Sequence, residues 1–245
     1  MHAFPILALI ASAASSSGAA NGAAPPASAP FAVVELFTSE GCSSCPSADR
    51  LLSDLGREAE KGGRNVIALE FHVDYWDSPA WKDPWSDAAF SERQRGYAHS
   101  LESGLYTPQA VVNGRAECVG SDAARLRAEI DQALARAPHA VLEVEPVLEG
   151  GHPAIHYRAA GIPSGARVCA ALTESGLSSH VKGGENAGRD LVHDGVVREF
   201  HAQTISEHES GTLRFAAASG PPRRIVVFVQ DPKTLEILAA TSVRL

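Results

Sequence analysis

Two cysteines three positions apart, Cys42-Ser-Ser-Cys45-Pro46, are the residues of this chain best suited to covalent chemistry. A thiolate at the start of a helix faces unpaired backbone N–H groups and the positive end of the helix dipole. Both lower its pKa and favour nucleophilic attack. Cys42 is the expected attacker. Cys45, one turn inside, is placed to resolve the mixed disulfide that Cys42 forms with another thiol or disulfide. Glu40 opposes activation by repelling the thiolate, but an exposed charge contributes at most ~1 kcal/mol against up to ~2 kcal/mol from a helix terminus. Two other readings stand beside redox chemistry. One is an inert structural bridge; the other is part of a metal site, for which Cys118 and Cys169 supply no second CxxC.

The elements that must position this pair are legible around it. Phe31-Ala-Val-Val-Glu-Leu-Phe37 is a short apolar run that ends at Thr38-Ser-Glu-Gly41, and so reads as a buried strand. Ala48, Leu51, Leu52 and Leu55 then recur at helical spacing, and Pro46 fits the first turn of a helix, where no N–H is needed. Val66-Ile-Ala-Leu-Glu-Phe71 is a second strand, which completes a strand, helix, strand unit. Further on, Tyr106-Thr-Pro108-Gln-Ala-Val-Val112 places a proline directly before an apolar strand. Asn113-Gly114 is a strong hairpin signal, and Ser121-Asp-Ala-Ala caps a helix carrying Leu126, Ile130 and Leu134 until Pro138.

The order strand, CxxC helix, strand, insertion, proline hairpin, helix resembles the thioredoxin fold, in which a cis-proline loop opposes the CxxC. Thr107-Pro108 stands at the matching position, where the resemblance implies that backbone pairs with a bound extended chain. Val33 to Pro46, His72-Val-Asp-Tyr-Trp-Asp77, Trp81-Lys-Asp-Pro84, Tyr106-Thr-Pro-Gln109 and Gly184-Glu-Asn-Ala-Gly188 resemble the secreted bacterial thioredoxin-like family called domain of unknown function 1223. The resemblance implies an α/β thioredoxin-like fold with a helical insertion, followed by a mostly antiparallel β-sandwich-like extension. It also implies a thiol–disulfide role. Cys118 and Cys169 lie outside the matching motifs, and a bridge between them requires Cα atoms within ~7 Å.

All three tryptophans, Trp76, Trp81 and Trp85, follow the second strand beside Tyr75. Tyr75, Trp76 and Tyr106 are candidate substrate contacts because ligands of open α/β sheets sit beyond the carboxyl ends of strands; the alternative is a satellite core that holds the insertion down. His72, after the strand neighbouring the CxxC, can tune Cys42, move a proton or hydrogen-bond Asp74. With Cys42 and Cys45 it makes a Cys2His set, the basis of an alternative reading as a copper or zinc metallochaperone.

After Pro138 the pattern turns to short alternating strands at Leu142–Val144, Ile155–Tyr157, Val168–Ala170, Val192–Phe200 around an Asp194-Gly195 turn, Leu213–Phe215, Ile225–Val229 and Ile237–Val243. His152, His156, His180, His193, His201 and His208 show no ligand spacing, and most of them read as surface or turn residues by default. Lys182 to Gly188 reads as a flexible connector.

Composition bounds the rest. The 245 residues are 44% hydrophobic and 20% charged, as in an ordinary globular protein. Twenty-nine acidic against 21 basic residues give a net charge of -8 with no basic run, so nucleic acid is not an expected partner. Residues 1–20 read as a secretory signal and 21–30 as a tether. A thioredoxin-like domain is expected over 31–138 and a β-rich domain over 139–245. The apolar leader falls short of the roughly 20 residues needed to span a bilayer. The expected product is a periplasmic or secreted thiol–disulfide oxidoreductase, with protein or small-molecule thiols and disulfides as partners and no cofactor; the remaining alternative is a non-enzymatic binding module on the same platform.

Overall fold

The computed structural model describes residues 29–205, 210–216 and 223–245. The expected signal, most of the tether and His208 lie outside these. The chain runs β1 (Ala32–Thr38), α1 (Cys45–Gly62), β2 (Val66–His72), a single 3-10 turn at Asp74–Trp76, α2 (Ala88–Ser100), β3 (Gln109–Val112), β4 (Ala116–Val119), α3 (Ala123–Leu134), β5 (Val141–Glu149) and β6 (His152–Ala160). It continues with β7 (Arg167–Glu174), β8 (Leu177–His180), β9 (Asp190–His193), β10 (Val196–Thr204), β11 (Ser210–Arg214), β12 (Arg223–Gln230) and β13 (Ile237–Arg244).

One mixed sheet organises the molecule, with strand order β13-β12-β7-β10-β2-β1-β3-β4. β1 pairs parallel with β2 and antiparallel with β3. β10 meets β2 in parallel at Val196 and Glu70, and β7, β12 and β13 follow antiparallel. β5, β6 and β11 form a second, three-stranded sheet, and β8 and β9 a small hairpin. Among the described residues there are three α-helices, none long and apolar enough to cross a membrane.

This architecture corrects the expectation. The protein is mostly β, built on a large mixed sheet, and is not the α/β thioredoxin-like fold with a helical insertion and a β-sandwich-like extension that the motif order suggested. The physical reason lies in β7 and β12. Their apolar runs are buried on both faces, Val168 to Leu172 and Ile225 to Val229 being almost fully covered, which is the signature of central strands rather than of alternating sandwich strands. Cys169, Ala171, Val226 and Phe228 join the core under α2 with Phe37, Phe71, Phe90 and Tyr97. Val168, Ala170, Leu172, Ile225, Val227 and Val229 pack on the opposite face against Ile155, Tyr157 and Leu213 of the small sheet. On that same face, at the other end of the sheet, α1 and α3 cover Val34 and Leu36 with Ala48, Leu52, Leu126 and Ile130.

Local signals explain the element ends. Gly63 ends α1 at φ 64°, with Arg64 N–H returning to the Ala59 carbonyl at 2.9 Å. Asp87 and Asp122 cap α2 and α3 by accepting from the backbone N–H groups of Ala89 and Arg125. In the β3–β4 turn the Asn113 side chain accepts from Val33 N–H (2.7 Å) and donates to the Phe31 carbonyl (3.1 Å), fastening the start of β1. Buried Glu35 of β1 receives Arg93 of α2 through Nε (2.5 Å) and Nη2 (2.9 Å), with the guanidinium 4.6 Å from the centre of the Phe200 ring.

The Asp194-Gly195 turn does not pair β9 with β10. It hands the chain from the β8–β9 hairpin to the main sheet, where Gly195 takes φ 72° and its carbonyl accepts from Glu70 N–H at 2.9 Å. A Cβ at Gly195 would stand 2.7 Å from the Ala68 carbonyl oxygen. Cys118 in β4 and Cys169 in β7 are both free and buried. Five strand spacings separate them, about 24 Å, so no bridge joins them.

Two outcomes are expected. Gly195→Ala lowers unfolding free energy by about 2–4 kcal/mol, combining left-handed strain with the clash against Ala68, as read from the denaturant midpoint. Burial raises the Cys118 and Cys169 thiols to about 11, so both stay protonated at neutral pH and become more reactive only as pH climbs towards that value. In the folded, oxidised protein at pH 8, mass spectrometry should find them alkylated at least about 100-fold more slowly than a free thiol.

Candidate functional site

β1 ends at Thr38, and the short Ser39–Ser44 segment turns the chain into α1. Cys42 and Cys45 form a disulfide across the first turn, with Cα atoms 5.5 Å apart. Cys45 N–H donates to the Cys42 carbonyl at 3.2 Å, and Pro46 fills the first turn without losing a hydrogen bond. Both cysteines are buried, Cys42 at 1% exposure, whereas Ser43 and Ser44 between them are exposed. No acidic residue occupies the first turn of α1.

Thr107-Pro108 has a cis peptide bond and lies beside this turn. Gly120 donates its N–H to the Pro108 carbonyl (2.9 Å), and a Cβ there would touch Pro108 Cβ, Ala48 Cβ and Leu36 Cδ1 at 3.3, 3.2 and 2.5 Å. The proline, the second turn of α1 and β1 therefore converge on one glycine. Trp76 joins the two loops: its indole Nε1 donates to Thr107 Oγ1 at 2.7 Å, while its own Cβ and carbonyl oxygen lie 3.1 and 3.2 Å from where a Gly41 Cβ would be. Tyr75 is partly exposed and donates to Gln94 Oε1 (3.0 Å), and Gln94 Nε2 donates to the Tyr106 carbonyl (2.7 Å). The Tyr106 hydroxyl donates to Glu117. Cys42, Cys45, Tyr75, Trp76, Tyr106, Thr107 and Pro108 thus form a connected neighbourhood at the end of β1 and the start of β3.

Behind the disulfide lies a buried ionic cluster that sequence reasoning largely missed. Glu70 and His72 alternate along β2 and so point to the same side of the sheet. His72 Nδ1 is 2.8 Å from Asp83 Oδ2, and its Nε2 is 3.6 Å from Glu70 Oε2. His193, at the end of β9, places Nδ1 3.0 Å from Glu70 Oε2 and Nε2 3.4 Å from Glu40 Oε1. Asp49, four residues after Cys45 on α1, accepts from Thr38 Oγ1 at 2.6 Å and lies 3.9 Å from His193. Trp85 stands edge-on to both imidazoles, at 5.3 and 5.0 Å between ring centres.

The electrostatics follow from this enclosure. Burial disfavours the imidazolium of His72, but the Asp83 charge and hydrogen bond outweigh it and hold its pKa up at about 9. For His193 burial is again outweighed, by hydrogen bonds to Glu40 and Glu70, and the value rises to about 11. Burial, with the Glu70 charge, raises Asp49 to about 7. Glu40 is not the free thiolate-repelling charge expected from the sequence, because its carboxylate turns to His193 and the Ser179 hydroxyl. The proposed Cys42, Cys45 and His72 set is also distributed differently: the sulfurs bond each other, while the ligand atoms that gather within 4.8 Å belong to Glu70, His72 and His193. His193 is fully buried rather than a surface or turn residue. Asp49 and Glu70 carried a readable signal, the one by its i+4 position after Cys45, the other as a charge inside a buried strand. His193, 123 residues from Glu70, carried none.

The segment from Lys182 to Gly188, expected to be a flexible connector, is the tip of the β8–β9 hairpin and covers the CxxC. Asn186, fully buried, donates through Nδ2 to the carbonyls of Glu40 (2.9 Å) and Cys42 (2.8 Å), and Arg189 holds its Oδ1 at 2.7 Å. Glu185 Oε2 accepts from Ser43 N–H at 2.9 Å, at the positive end of α1, and that hydrogen bond holds its carboxyl below the usual range. Gly184 packs between Gly41 and Trp81, a Cβ built on it standing 3.9 Å from Gly41 Cα and from Trp81 Cβ.

Comparison with known proteins places this arrangement. No curated protein matches the chain. Among solved structures, protein AGR_C_4864 from Agrobacterium tumefaciens is 25% identical, covering 88% of this chain and 94% of its own, with a TM-score of 0.64. HBP35 of Porphyromonas gingivalis is 15% identical over 89% of this chain and 76% of its own, with a TM-score of 0.60, a likeness of fold alone. The family described as protein of unknown function (DUF1223) matches residues 33–230. The chain, with its CxxC, Thr-Pro loop and covering hairpin inside that span, belongs to the DUF1223 family.

Proposed function

We propose that this protein performs thiol–disulfide exchange through Cys42 and Cys45, in the periplasm or outside the cell, on protein or small-molecule thiols and disulfides. The observation that carries this reading is the pairing of the two sulfurs across the N-terminus of α1, beside the Thr107-Pro108 loop. In the reduced protein the Cys42 thiolate attacks one sulfur of an external disulfide. A mixed disulfide forms, and the other external sulfur leaves as a thiolate that takes a proton. Cys45, having lost its proton, then attacks Cys42 Sγ, which releases the second external thiol and restores the Cys42–Cys45 bond. The dithiol loses two electrons and the external disulfide gains them; the reverse sequence oxidises an external dithiol.

Several features support Cys42 as the attacker. The amide groups of the first turn of α1 and the helix dipole favour a thiolate there. Ser44 Oγ lies 3.3 Å from Cys42 Sγ, and the nearby Glu40 carboxylate is already paired with His193. Thr107, held by Trp76, offers backbone at the edge of the same neighbourhood. Because both sulfurs are covered, exchange requires the 182–188 hairpin tip to lift, which breaks the two Asn186 bonds and moves the Glu185 carboxylate away from the helix terminus.

Two measurements test this. In the reduced protein at mildly acidic pH, Cys42 should be alkylated at least about tenfold faster than a model thiol and faster than Cys45; equal rates would remove the activated nucleophile. Asn186→Ala should speed reduction of the disulfide by a small thiol by about tenfold, corresponding to ~1.4 kcal/mol, within the range for two hydrogen bonds. An unchanged rate would show that the hairpin tip does not gate the sulfurs.

A further inference from the structure

We propose that Glu70, His72 and His193 form a binding site for a divalent transition-metal ion of the zinc class, separate from the cysteine pair. Their ligand atoms lie within 4.8 Å of one another. In a tetrahedral site with ligand bonds near 2.1 Å, neighbouring ligand atoms stand about 3.4 Å apart. The distances from Glu70 Oε2 to His72 Nε2 and to His193 Nδ1, 3.6 and 3.0 Å, bracket that separation. Two imidazoles and a carboxylate suit zinc and its neighbours, and are a poor set for calcium or magnesium, which take oxygen ligands.

The hydrogen-bond inventory points the same way. His72 Nε2, Glu70 Oε1, His193 Nε2 and Glu40 Oε2 are all shielded from solvent and have no hydrogen-bond partner. Their residues are no more than 1% exposed. Unpaired buried polar atoms are costly, about 1–3 kcal/mol each; an ion held by Glu70, His72 Nε2 and His193 Nδ1 satisfies His72 Nε2 directly and lies beside Glu70 Oε1, the second oxygen of the ligating carboxylate. A divalent ion takes the place of the protons on His72 Nε2 and His193 Nδ1, so its entry releases protons and leaves the charge of the cluster little changed.

The supporting shell is that of a built site. His72 turns Nδ1 to Asp83, which leaves Nε2 directed at Glu70, as in a carboxylate–histidine–metal arrangement. Asp83 is itself fixed, accepting from the backbone N–H groups of Glu40 (2.8 Å) and Trp85 (3.0 Å), while its own N–H donates to Asp77 (3.1 Å). The Trp85 ring orients both imidazoles. Three protein ligands leave a fourth position open, and Glu40 Oε1, 3.4 Å from His193 Nε2, stands by the nitrogen that does not ligate, as Asp83 does for His72.

Cobalt(II) is the probe. Chelator-treated full-length protein with the disulfide intact is given cobalt(II) in the folded state and, separately, during refolding, then dialysed. The expected result by either route is about one retained equivalent, with visible d–d absorption and no thiolate-to-metal charge-transfer band. Asp83→Asn, which keeps all three ligands, should weaken binding roughly 10–100-fold, and His72→Gln should abolish it, with circular dichroism confirming that each variant is folded. No retained cobalt by either route, a thiolate charge-transfer band, or retention unaffected in a folded His72→Gln protein would overturn the proposal. Because the protein is oxidised throughout, such a result leaves the exchange activity of Cys42 and Cys45 to its own test.

Discussion

The contact on which the site depends is the parallel meeting of β10 with β2, where Glu70 donates its backbone N–H to the Gly195 carbonyl. Gly195 makes it feasible because it tolerates φ 72° and lacks a side chain that would strike Ala68. This junction joins strands from both ends of the chain into one sheet. It also fixes the β8–β9 hairpin immediately before it, so that His193 falls beside Glu70 and the hairpin tip falls over Cys42. Arg57 of α1, held to Asp194 at 2.9 Å, ties the same turn to the helix that carries the cysteines.

The two faces of the sheet bury charge in contrasting ways. On the α2 face Glu35, Arg93, Tyr97 and Gln230 form a network in which the guanidinium donates to both Glu35 oxygens, to the Tyr97 hydroxyl and to Gln230, and is surrounded by four aromatic rings. A buried ion pair so completely satisfied can hold α2 in one position on β1 and β12. On the opposite face the cluster of Glu40, Glu70, His72 and His193 is equally enclosed, yet it leaves several nitrogen and oxygen atoms without partners.

The cysteine pair is thus bounded on two sides. The buried cluster lies behind it, linked by Asp83 to the backbone N–H of Glu40. In front, Gly184 of the hairpin tip lies against Gly41, and Asn186 donates to the carbonyls of Glu40 and Cys42. The tip engages both the Cys42 backbone, through Asn186, and the helix terminus, where Glu185 accepts from the Ser43 N–H.

The sequence alone determined what short-range physics governs. The strand before the CxxC, the start of α1 at the cysteines, the turn at Asn113-Gly114 and the cap at Asp122 follow from apolar spacing, proline and glycine placement and side-chain capping within a few residues. The neighbourhood of Cys42, Trp76 and Thr107 was partly legible for the same reason, each residue lying at the end of an identifiable element. Tertiary structure decided the rest. Whether β7 and β12 are buried on one face or two depends on what packs against them, and a short apolar run reads much the same either way. Likewise His193 and Asn186 acquire meaning only when a distant turn delivers them to β2 and to the Cys42 carbonyl. No local pattern encodes that encounter, because it is fixed by the closure of the whole sheet.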